Sequence, residues 1–306
     1  MSLLTQKTIL NNIKIKGIGV HTGSNVAINI LPAAPNNGII FKRVDLNKNN
    51  IVIPSYSNVT DAKLCTTISN QYGVKVSTIE HLMGAFYGLG IDNALVEINA
   101  QEVPIMDGSA KYFVKEIKRS GVLVSDVPIK LIKIEKRVEY REGEKIITID
   151  KSNVSSDIDF EVKYKNKVIN IQRKKINIFE DSLEEIFNSR TFCLYEDVEK
   201  LQKLGLGIGG SLQNTIVVDS NKVLNKEGLR YKNEFVNHKI LDCMGDLYLS
   251  GYKVIGSLLC SQGGHSMTNK LLRKIFSDKK NYSVLEIKGK NLPHSLAEKT
   301  QLKSIA

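Results

Sequence analysis

His238-Lys239-Ile240-Leu241-Asp242-Cys243-Met244-Gly245-Asp246 is the stretch on which the reading of this chain turns. It sits inside a longer pattern, residues 232–250, that predicts the longest helix of the protein. At four-residue spacing His238, Asp242 and Asp246 fall on one stripe of that helix. A His-x-x-x-Asp pair offers two metal-ligating groups about one helical turn apart, and catalytic zinc takes three protein ligands and one open position. The same spacing also suits a solvated helical pair, and spacing does not choose between the two.

Two further short stretches carry matching chemistry. Ser77-Thr78-Ile79-Glu80-His81 places a carboxylate beside a histidine, and Gly263-Gly264-His265 places a histidine after two glycines. Three of the five histidines therefore stand in these segments. His81 is the best candidate for a third ligand. Glu80, next to it, has the chemistry to take a proton from metal-activated water. Its other reading is structural: Ser77 and Glu80 fit an S-x-x-E capping box that would start a helix near Ser77. Asp246 also reads as surface charge and His265 as a loop residue. There is no HExxH motif, so an ordinary zincin is excluded, and no GxSxG elbow points to a serine hydrolase.

The surrounding pattern is one of strands followed by helices, twice. Val26, Ile28 and Ile30 form a period-2 face, and Gly17 to Gly23 reads as a glycine-assisted turn without phosphate-loop spacing. Leu82, Phe86 and Leu89 continue an apolar helix face until Gly88 and Gly90. A second helix follows Ser109, with Ala110, Phe113 and Ile117 inward and Gly121 as its stop. Near Ser125-Asp126-Val127-Pro128 a short linker is expected, after which lysine-rich strands resume with turns at Arg141–Glu144 and Lys165–Lys167. A second capping box, Ser182-Leu183-Glu184-Glu185, starts a short helix. Residues 196–204 form a small amphipathic helix through Val198, Leu201 and Leu204, and 252–259 a buried strand. The expected fold is α+β in two domains, 1–126 and 127–306.

Composition narrows the function. The 306 residues exceed the comfortable size of one core. A net charge of +11 favours an anionic partner, but the lysines are dispersed and no zinc-finger or RNP-like pattern occurs, so nucleic acid is not expected. No apolar run approaches a membrane span, and the first residues lack the pattern of a signal peptide. Cys65, Cys193, Cys243 and Cys260 form no CxxC pair and read as free thiols, which points to the cytoplasm.

Six blocks in fixed order carry a family resemblance: Ile79-Glu80-His81; Pro104-Ile105-Met106-Asp107-Gly108-Ser109; Ser189-Arg190-Thr191-Phe192; Gly209-Gly210-Ser211; His238-Lys239-x-x-Asp242-x-x-Gly245-Asp246-Leu247; and Gly264-His265-x-x-x-Asn269-Lys270. Together they resemble the UDP-3-O-acyl-N-acetylglucosamine deacetylases of lipid A biosynthesis, over about residues 5–290. The resemblance implies two similar α+β domains, each a sheet layered with helices, with the helices packed between the sheets and a small insert in each domain. It implies zinc, with iron(II) suited to the same donors, on His81, His238 and Asp242. Glu80 would be the base, His265 the acid, and Asp246 the group that orients His265. Lys239 and Thr191 would stabilise the oxyanion. The second insert, about 191–217, is expected as a βαβ passage for an acyl chain, with Phe192, Tyr195, Val198, Gly207, Leu212 and Val217 on its wall. Lys145 and Lys239, with Arg137 and Arg141 near them, are expected to meet the uridine diphosphate. Tyr195 is bulky and Gly207 small for such a wall, which bears on acyl length. A monomer with transient contact at the inner membrane is expected. His21 and His294 are read as structural.

Overall fold

A computed structural model describes residues 5–286. The fold is α+β, with helices layered on several sheets. In the first half, a five-stranded sheet has the order Ile13–Ile18, Asn25–Pro32, Ala94–Ile98, Ile39–Arg43, Ile51–Val52. The helices of this half are α1 (Glu80–Leu89) and α2 (Lys111–Ser120). A three-stranded sheet of Val59–Asp61, Thr67–Ser69 and Lys75–Val76 leads into α1.

The second half is built on Lys253–Ser261, the strand expected to be buried. It pairs with Lys145–Asp150 antiparallel and with Ser156–Lys163 and Lys130–Ile134 in parallel. Val138–Glu142, Ile171–Asn177 and Tyr282–Glu286 complete seven strands. Its helices are α3 (Glu184–Asn188), α4 (Tyr195–Lys203), α5 (Glu234–Leu247) and α6 (His265–Phe276). The expected turns close where the sequence put them: Glu142 faces Lys145 across a two-residue loop with Gly143 at φ 58°.

Three local expectations need correction. Ser77 does not cap α1. It is drawn into a bridge with Glu102, its hydroxyl donates to the Gln101 carbonyl, and the helix starts at Glu80 after Thr78 at φ 55°. Sheet pairing outbids the cap. The second box starts the expected short helix but does not close: Ser182 Oγ accepts from the Glu184 N–H at 3.4 Å, Leu183 is the N-cap of α3, and Glu185 reaches outward to Lys174 at 2.8 Å. The segment read as a linker is a strand, Val122–Pro128, paired antiparallel with Thr5–Ile9.

The two halves meet where α1 and α5 cross. Gly84 and Gly245 permit it: a Cβ on Gly245 would lie 2.0 Å from the Glu80 carbonyl oxygen. In α5 every residue except Lys239 is buried, and in α1 residues 80–87 are. Both are therefore core helices rather than amphipathic surface ones. One apolar cluster runs through both halves.

Candidate metal and active site

The crossing brings His81, in the first turn of α1, against His238 and Asp242 on α5. Asp242 Oδ1 stands 3.5 Å from His81 Nε2 and 3.4 Å from His238 Nε2, and the three donor atoms lie within 4.8 Å of one another. Tetrahedral zinc with nitrogen and oxygen ligands at about 2.0–2.2 Å sets its donors roughly 3.3–3.6 Å apart. Asp242 Oδ1 is buried and takes no hydrogen bond, whereas Oδ2 accepts from Lys239 Nζ at 2.7 Å. A buried carboxylate oxygen left open beside two imidazole nitrogens is what a cation would complete. His238 is prepared for that role: its Nδ1 lies 3.0 Å from the Ser189 carbonyl, and burial pushes the imidazole down to about 3, so it stays neutral.

Opposite stand Glu80 and His265, the latter the first residue of α6 rather than a loop residue. His265 Nδ1 donates to Asp246 Oδ2 at 2.7 Å, and Nε2 lies 3.9 Å from Glu80 Oε1. Burial opposes charge on His265, but the Asp246 carboxylate, with Glu80, lifts it to about 9. Burial raises the Glu80 carboxyl above its ordinary range, with His265 and His81 pulling the other way. A carboxyl of raised affinity for protons and a charged imidazole thus face each other beside His81, His238 and Asp242. Cys65 is no competitor, because burial and Glu80 push its thiol up to about 12.

A cavity of about 390 Å³ opens from this centre. All the insert residues named from sequence line it: Phe192, Tyr195, Val198, Gly207, Leu212 and Val217. The insert is a βαβ unit, since Phe192–Leu194 pairs in parallel with Ile216–Asp219 across α4. Thr191 and Lys239 also face the cavity, and Lys239 Nζ sits 5.6 Å from the Phe192 ring centroid. Lys145 does not line it. Arg137 and Arg141 are held by Asp150 and Glu139.

Sequence reasoning missed several parts. Thr66 donates its hydroxyl to Asp246 and its N–H to Glu80. Glu102, fully buried, accepts from the His21 and Thr22 amides and from the Thr78 hydroxyl, which fixes the turn into α1. Arg190 is 1% exposed and grips Glu234 at 2.8 Å, setting the Ser189 carbonyl beside His238. His21, read as structural, lines the cavity with its Nδ1 unpartnered. His294 lies outside the described residues. A second cavity of about 450 Å³, next to Tyr195, is lined by Tyr164, Lys165 and Lys167.

Two imidazoles and a carboxylate converge on one point and could hold a metal ion, with a buried carboxylate and imidazole, Glu80 and His265, across from them. Comparison with known proteins makes that specific. The chain belongs to the UDP-3-O-acyl N-acetylglycosamine deacetylase (LpxC) family, whose model matches residues 6–277. It is 40% identical over 279 residues to the UDP-3-O-acyl-N-acetylglucosamine deacetylase of Actinobacillus succinogenes, covering 90% of this chain and 91% of that protein. The Vibrio parahaemolyticus protein of the same name is 40% identical over 280 residues, with the same two coverages. That of Pasteurella multocida is 37% identical over 305 residues, covering 98% of this chain and 99% of its own.

Proposed function

We propose that this protein hydrolyses the 2-acetamido group of UDP-3-O-acyl-N-acetylglucosamine, giving UDP-3-O-acyl-glucosamine and acetate in lipid A biosynthesis, with zinc as its metal. Iron(II) suits the same donors. The observation that carries the reading is the unpartnered, buried Asp242 Oδ1 between His81 and His238. These three residues would hold the metal. When bound, it supplies Lewis-acid chemistry, making water acidic enough to attack at neutral pH and drawing electrons from the amide carbonyl.

The protein's own groups do the rest. Glu80, through Oε1, takes the proton of the attacking water as its oxygen adds to the amide carbon. Lys239 and the Thr191 hydroxyl, both on the cavity wall, balance charge on the former carbonyl oxygen. His265 Nε2 gives a proton to the sugar nitrogen as the C–N bond breaks, and Asp246 holds the ring at Nδ1. Acetate and a free amine result. The apolar insert would take the acyl chain. Lys145 and Lys239 are proposed to meet the uridine diphosphate.

Residues 1–126 and 127–306 are proposed as two domains closing on this cleft. No helix among the described residues is long and apolar enough to cross a membrane. A cytoplasmic location and monomeric state are part of the proposal. The test is acetate release by metal-stripped, zinc-restored and Glu80→Gln protein. Activity should need both metal and Glu80. Turnover by Glu80→Gln at the parental rate would remove the proposed base.

A further inference from the structure

Thr66 immediately precedes the short strand Thr67–Ser69 and is 1% exposed. Its N–H donates to Glu80 Oε2 at 3.0 Å, and its hydroxyl donates to Asp246 Oδ1 at 2.5 Å. Its carbonyl accepts from the Ile79 amide at 3.5 Å, tying the same residue to the entrance of α1. One residue therefore grips both the carboxylate of the proposed base, Glu80, and the carboxylate that orients the proposed acid, Asp246, which come from different helices.

We propose that Thr66 is a positioning residue that selects which oxygen of each carboxylate works. This rests on the roles given above to Glu80 and His265. A carboxylate has two equivalent oxygens, and a free one can present either. With Oε2 of Glu80 held by the Thr66 amide, Oε1 faces His265 Nε2, at 3.9 Å. With Oδ1 of Asp246 held by the Thr66 hydroxyl, Oδ2 is left for His265 Nδ1, at 2.7 Å. That bond places the Nδ1 proton on the Asp246 side and turns Nε2 toward the cavity. Base and acid are thus oriented by one short hairpin. A buried threonine that only filled space would be replaced without loss by valine, which has the same shape.

The decisive variants are Thr66→Val, which removes the hydroxyl and keeps the backbone N–H, and Thr66→Ser, which keeps both. Both are studied as the metal-loaded full chain. A hydrogen bond to a buried charge is worth enough that Thr66→Val should lower kcat about 10- to 100-fold. KM should stay within about twofold, since no substrate contact is lost, and metal content should not change. Thr66→Ser should recover kcat to within about threefold of the parent. The low-field Nδ1 proton resonance of His265, assigned by its loss in His265→Gln, should shift in Thr66→Val and not in Thr66→Ser. Parental kcat in Thr66→Val overturns the proposal, as does a Thr66→Ser variant equally slow, or a fall in kcat that tracks lost metal. If the parent itself releases no acetate, the proposed function fails. The His265 resonance then decides the positioning role alone: a shift in Thr66→Val sustains it and an unmoved signal overturns it.

Discussion

Replacing Gly245 by alanine should break the active site through the backbone alone. In most helices this change is favourable: alanine exceeds glycine in helix propensity by about 1 kcal/mol. Here the new Cβ would lie 2.0 Å from the Glu80 carbonyl oxygen, 2.8 Å from its carbon and 3.0 Å from its Cα. Ordinary contact begins near 3.4 Å, so α1 and α5 must part by about 1.4 Å. The obstructing atoms are main chain and cannot rotate away. Overpacking costs roughly 1–3 kcal/mol when side chains can adjust, so the upper end applies. Set against the propensity gain, the net loss is about 2 kcal/mol, or roughly 4 °C in Tm. Function should suffer more. His81 is the next residue after Glu80, and Asp242 lies three before Gly245, so parting the helices separates donors now 3.5 Å apart. A misplacement of about 1 Å costs on the order of 100-fold in rate. Thermal melting, metal analysis after buffer exchange and acetate release measure the three consequences. Gly84→Ala should be milder, because its closest contact is a side-chain atom, Leu241 Cδ1 at 2.8 Å, and the nearest main-chain atom, the Leu241 carbonyl oxygen, lies at 3.0 Å rather than 2.0 Å. A Gly245→Ala protein with raised Tm, full metal and kcat within threefold of parent would refute the reasoning.

Other consequences are simpler. Because His265 is held up at about 9, kcat should fall as pH rises through that value, and the limb should be missing in His265→Gln. The sign for stability is the same: the raised folded-state value contributes fully below the free imidazole range near 6.5. The contribution is lost as pH climbs toward 9, which melting of the metal-stripped protein against pH will register. Arg190→Ala leaves Glu234 buried without its main partner and should cost about 3–5 kcal/mol, roughly 6–10 °C in Tm; a shift under 2 °C would contradict the pairing. Val217→Phe narrows the cavity wall and should lower kcat/KM for long-chain substrates relative to short ones. An unchanged ratio would place the acyl chain elsewhere.

What the sequence disclosed follows from how each residue is held. The stripe His238, Asp242, Asp246 was legible because helix spacing is a local rule, and it holds on α5. That His81 and His265 join it was not legible from spacing and came only with the family resemblance, since it depends on a helix crossing that two glycines permit. The false capping box at Ser77 shows the limit of local patterns: the motif was present, but the Glu102 bridge claimed the serine. Helix α6 was missed although Met267, Leu271, Leu272 and Ile275 supply a buried stripe, because the preceding glycines suggested a loop. Thr66 had no signal at all. Its function comes from an irregular hairpin touching two helices, and no periodicity marks such a place.

These placements suggest why the centre is built on core helices rather than on loops. Glu80 and His265 each open a helix, α1 and α6, while His238, Asp242 and Asp246 sit within α5. A carboxylate in the first turn of α1 is favoured by the helix N-terminus, yet burial keeps its proton affinity high, as the role proposed for it needs. His265 at the start of α6 is the opposite case, because a cation there is disfavoured by the dipole. The protein answers with Asp246 at 2.7 Å and places Thr66 behind it. The proposed acid is thus charged by a carboxylate rather than by its helix, so it stays matched to the proposed base only while that carboxylate keeps its orientation.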